Sequence, residues 1–104
     1  MRPLLSSSRL EFLPGWEMVQ EGLVALRAGL RTPAACLVSM ARPRLVRAGL
    51  LDPSLATVAH AELELYRLLG ATGSNAHSRF NALVGRLVRF EHALDRELFG
   101  PSRI

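Results

Sequence analysis

Between His77 and Leu98 the chain reads HSRFNALVGRLVRFEHALDREL, in which arginines, histidines and carboxylates are threaded through phenylalanine, leucine and valine. Guanidinium groups are permanently charged forks that grip phosphate or carboxylate at two points. Histidine exchanges protons near neutral pH. At helical spacing these residues have two chemistries to offer: tracking a polyanion, or moving a proton beside one. A helix turns by about 100° per residue, which sends Arg79, Arg86, Arg89 and Arg96 to one side with Ser78, Ala82 and Ala93. Phe80, Leu83, Val84, Leu87, Val88, Phe90, Leu94 and Leu98 then fill the other. The four arginines are therefore candidates for a phosphate-tracking ridge, against the plainer reading of a solvated face. Phe80 and Phe90 belong to the core arc and are not free to stack on bases.

Within this stretch RLVRFEH, from Arg86 to His92, has an Arg-x5-His spacing. It resembles the Arg-x4-6-His motif of HEPN-type RNases, helical domains in which that pair forms an RNA-cleaving site across a dimer. The resemblance covers these few residues and implies Arg86 and His92 as the catalytic pair. The residue after Arg86 is the core-facing Leu87, and about 120° of helix rotation separates Arg86 from His92.

Glu91 falls inside the apolar arc, between Leu87 and Leu94. A charge there is costly unless paired, so a structural ion pair is expected, with Arg27, Arg42, Arg44 or Arg47 as the source of the cation. A catalytic acid would need an organised second group, which the sequence does not supply. ARPRLVRAG brings Arg42, Arg44 and Arg47 to a proline-marked bend, a candidate anion clamp. His60, Glu64 and Arg67, at i, i+4 and i+7, share one strip of a helix and suggest weak surface pairing. His77 and His92 lie too far apart on one helix to share a metal, and no cysteine–histidine spacing matches a zinc site. Neither a metal nor a cofactor is expected. Cys36 and Ser39 lack the neighbours that activate a nucleophile and are expected in helix packing.

The chain of 104 residues is 49% apolar and 21% charged, with a net charge of +4. That balance is globular and favours anionic partners in general. All 13 basic residues are arginine, a bias that looks like GC-rich coding and weakens arginine as a specific signal for nucleic acid. A single cysteine excludes an intramolecular disulfide and fits a reducing compartment. MRPLLSSSRLEFLPGW is too short in apolar residues for a signal peptide or a membrane span. A cytoplasmic protein without a membrane partner is the expectation.

The elements that must position these residues follow from periodicity and punctuation. Residues 1–9 are expected as a flexible arm and 10–104 as one helical domain, with RLEFLPG a short extended piece. Trp16, Val19, Leu23, Leu26 and Leu30 recur at spacings of three and four, predicting a helix over 15–31; Gly22, Ala25 and Gly29 beside that stripe would permit close helix approach. Thr32 before Pro33 predicts the next start. Pro43 predicts a break before a short helix to Ala48, and Gly49 a left-handed cap folding Leu50 back. Asp52 and Pro53 repeat the start signal for a segment helical from about Thr57 to Gly70. After the loop GATGSN comes the long helix over 75–98, closed by Gly100 and Pro101. The fold class is all-α, a compact bundle of about four helices with a short extra turn and short connections.

The leucine stripes offer more apolar surface than a small bundle easily hides, so Trp16, Val19, Leu23 and Leu26 are expected at an interface between two copies. The functional expectation is a non-enzymatic, homodimeric module acting through protein–protein contacts. The alternatives are a nucleic-acid binder working through the arginine face and an HEPN-like RNase.

Overall fold

A computed structural model describes residues 7–99. Within them the only regular elements are helices: α1 (Ser7–Leu10), α2 (Trp16–Arg27), α3 (Pro33–Met40), α4 (Arg42–Arg47), α5 (Ala61–Ala71) and α6 (Ala76–Phe99). α1 and α4 are short segments; the other four form a small bundle. α3 is the central element and packs against α2, α4, α5 and α6. Its Ala35, Cys36, Leu37 and Val38 are all at most 1% exposed. The Cα radius of gyration, 13.8 Å, is close to the value of about 13 Å expected for a globule of about 100 residues.

Cap chemistry explains most boundaries. The Thr32 hydroxyl accepts a hydrogen bond from the Ala35 amide at 3.1 Å, and Pro33 occupies the first turn of α3. α4 ends as expected at Gly49, which takes φ +77°. The Leu50 amide donates back to the Leu45 carbonyl at 2.9 Å and the Gly49 amide to Val46 at 3.0 Å, the paired bonds that consume orphan carbonyls at a helix end. α2 stops by the same device earlier than periodicity predicts. Gly29 takes φ +74°, and the Leu30 amide reaches the Ala25 carbonyl at 2.9 Å. Leu30 is consequently swung off the stripe and 54% exposed.

Other expectations are corrected. The Asp52–Pro53 pair starts a turn rather than a helix: the Asp52 carboxylate accepts from the Ser54 amide and hydroxyl, at 2.8 and 2.7 Å. α5 therefore begins at Ala61, not near Thr57, and His60 sits just outside it in the left-handed region at φ +50°. The expected extended piece is a helical turn followed by turns. Ser7–Leu10 forms α1, and the Arg9 guanidinium pairs with Glu97 near the end of α6, so residues 7–9 are not a loose arm. The remainder of that arm, and the Gly100–Pro101 stop, lie outside the described residues. On α6, Val88 is 39% exposed while Ala93, expected on the wet side, is buried.

Gly22 brings α2 and α3 together. A Cβ at this position would collide with the Ala34 carbonyl oxygen and a Val38 methyl. No side chain larger than hydrogen fits this approach. The inward face of α2, Val19, Leu23 and Leu26, thereby becomes core at 0%, 4% and 6% exposure.

Candidate functional site

An open concavity lies along α2 beside its inward face, with Leu23 common to both. Trp16, Gln20, Val24 and Arg27, spaced at four, four and three residues, form one wall, and the strap from Gly49 to Ala56 forms the other. The open cleft between them has a volume of about 710 Å³, within the range of roughly 300–1,000 Å³ usual for binding sites. Leu23 and Leu51 give it an apolar floor, and Val24 stands 57% exposed on its rim. Trp16 is fixed by stacking on the buried Phe90, with ring centroids 6.2 Å apart and planes inclined by 23°.

Polar ties hold the strap in place. Arg42 donates to the Pro53 carbonyl at 2.6 Å. Ser39 accepts from the Val58 amide at 2.9 Å while donating to the Ala35 carbonyl at 2.8 Å. Leu51 is 2% exposed and anchors the strap to the core. Within the cleft Asp52 is engaged by Ser54, whose two hydrogen bonds hold the carboxyl below the usual aspartate range. Arg27 is not so engaged: among the described residues no carboxylate lies within 4 Å of its guanidinium. The cleft thus combines apolar area with one uncommitted positive charge.

The cation facing Glu91 is Arg44. Its Nε lies 3.6 Å from Glu91 Oε2, and the same guanidinium bonds Asp95 one turn further along α6. Two carboxylates thus share one arginine, which fastens α4 to α6. Burial pushes the Glu91 carboxyl above the ordinary glutamate range, Arg44 opposes the shift, and Asp95 adds to it. The arrangement is a structural clasp. Among the described residues, no group of three or more potential metal ligands comes together.

The bend arginines do not converge into an anion clamp, because Arg42 and Arg44 turn to different partners and Arg47 is exposed on its own. On α6, Arg79, Arg86, Arg89 and Arg96 are all exposed. Arg79 is drawn to the Thr72 hydroxyl at 3.0 Å. Arg86 lines a second cavity of about 260 Å³ together with Glu17 and Glu21, so acidic groups interrupt the ridge there. His92 is exposed and lies on the same unbroken helix as Arg86, about 120° around it.

The expected interface stripe is corrected: Val19 and Leu26 are core, Leu23 reaches only the cleft floor, and Trp16 lines its wall. Glu64 and Arg67 are paired at 2.5 Å, with His60 left outside their helix. Cys36 is fully buried, which raises its thiol pKa and keeps it from solvent. Sequence reasoning missed the cleft itself, the Asp95 half of the clasp and the Arg9–Glu97 pair. Only the proximity of Leu50, Leu51 and Leu55 to a glycine cap hinted at an apolar strap. No helix among the described residues is long and apolar enough to cross a membrane. Comparison of the chain with protein-family models, curated proteins and solved structures gave no match.

Proposed function

We propose that this protein is a non-enzymatic interaction module that works as a homodimer through the cleft side of α2. The observation that carries the reading is the cleft itself: a lining of apolar and polar groups in near-equal measure, an exposed Val24 on the rim and, among the described residues, an Arg27 without an acidic partner. Apolar surface at the centre of a contact, ringed by polar groups, is the anatomy of protein interfaces. Size exclusion with in-line light scattering tests it. The expected mass is twice that of one chain at micromolar concentration, with absorbance at 260 and 280 nm showing protein alone. A single-chain mass up to millimolar concentration would remove the reading.

A second reading rests on a separate observation. Arg79, Arg86, Arg89 and Arg96 are all exposed, and no carboxylate lies within 4 Å of any of them among the described residues. As a nucleic-acid contact this face predicts binding that falls steeply with salt and weakens in Arg86→Ala/Arg89→Ala. Binding that ignores salt would count against it.

A further inference from the structure

Phe12 is 86% exposed, the most exposed of the large apolar residues described. It projects from the turn between α1 and α2, a position that no packing among the described residues explains. Leu10 and Trp16, two residues before it and four after, both line the cleft. Knob and hole therefore share one patch of surface. That adjacency is what a closed two-fold interface requires, because such an interface uses the same patch on both copies and makes every contact twice.

The charges agree with this arrangement. Glu11, beside Phe12, is exposed, and among the described residues no arginine or histidine lies within 4 Å of its carboxylate. Arg27 in the cleft likewise lacks an acid. The exposed Glu11 and Arg27 thus supply opposite charges for a contact between copies.

We infer that the occupant of the cleft is a second copy of this chain, with Phe12 of each protomer inserted beside Trp16 of its partner and Glu11 offered to the partner's Arg27. The inference rests on the self-association reading above and specifies its geometry. A cleft of 710 Å³ is in the size class of pockets that enclose whole ligands, so it has room for a phenyl ring. An aromatic anchor in a central pocket is the usual hot spot of such contacts, where truncation costs 2 kcal/mol or more, about 30-fold in affinity.

The test uses the full chain and light scattering across a concentration series. Phe12→Glu is expected to weaken dimerisation by about 30-fold or more while leaving the circular dichroism unchanged, and the melting temperature unchanged at dilutions where both proteins are monomeric, since Phe12 is outside the core. Glu11→Arg and Arg27→Glu, each alone, place like charges together twice per dimer and are expected to give monomers. Mixing these two variants restores opposite charges at both contacts and is expected to give a heterodimer, as the double variant Glu11→Arg/Arg27→Glu is expected to give a homodimer. A wild-type dimer indifferent to Phe12→Glu and to both reversals overturns this interface while leaving self-association standing. A wild-type monomer overturns both. A monomer whose Trp16 emission responds to an apolar peptide assigns the cleft to another protein and equally overturns the second copy.

Discussion

The two faces of α2 are built on opposite terms. Its inward face meets α3 so closely that Gly22 has no room for a methyl group, and Val19 is wholly buried. Its outward face meets only the rim of an open cleft, where Val24 is 57% exposed and Trp16 is half-buried. The far wall of that cleft is a strap anchored by the buried Leu51, with Leu50 and Leu55 packed against the core and Arg42 tying its Pro53 carbonyl. The contrast teaches where sequence change is tolerated by the fold. Substitutions facing α3 act on stability, and those facing the cleft act on what the cleft receives.

The comparison breaks first at Gly22. Gly22→Ala is expected to cost about 3 kcal/mol in chemical denaturation, at the upper end of overpacking penalties because the obstruction is backbone. A loss below about 1 kcal/mol would mean that α2 and α3 can separate cheaply, and the contrast would fail. The clasp between α4 and α6 ranks next. Arg44→Met leaves Glu91 and Asp95 facing each other and is expected to cost about 1–2 kcal/mol at neutral pH, less than a fully buried pair because the arginine is 38% exposed.

Glu91→Gln gives a smaller effect of opposite sign. The folded state raises the Glu91 pKa, chiefly by burial, so the folded chain binds that proton more tightly than the unfolded chain does. The stability this contributes is fully present below the ordinary glutamate pKa and is lost as pH rises through the raised value. Glu91→Gln escapes that loss and is expected to be slightly more stable than wild type near neutrality, with the advantage vanishing toward pH 4. A variant clearly less stable at neutral pH would show that the Arg44 pairing outweighs burial. Smallest in stability is Val24→Ser, expected within about 0.5 kcal/mol of wild type by thermal melting at dilutions where both are monomeric, yet with weaker self-association.

Local chemistry made much of the fold legible. Thr32 with Pro33, and Gly49 with Leu50, act through hydrogen bonds closed within five residues, so reading them required no knowledge of neighbours. Asp52 with Pro53 shows the limit of that method. The same carboxylate that could cap a helix is captured by Ser54 two residues on, and α5 starts later than periodicity suggests. Exposure on α6 misled for a different reason. A helical wheel places Val88 and Ala93 by angle alone, whereas the positions of neighbouring elements decide which of them is covered. Glu91 stood out in the sequence as a misplaced charge, but its cation had four candidates until tertiary structure brought Arg44 to it. The cleft was the least legible feature, because it exists only where residues 16–27 face residues 49–56.

The claim that a second copy covers the outward face of α2 has a direct optical test. Trp16 is the only tryptophan in the chain, and it lines the cleft. Its emission is to be recorded from nanomolar to millimolar protein. The account predicts a blue shift on concentration, with a midpoint matching the rise in mass by light scattering and displaced to higher concentration in Phe12→Glu. Emission that stays constant while the mass doubles would place the dimer contact elsewhere, and would contradict it.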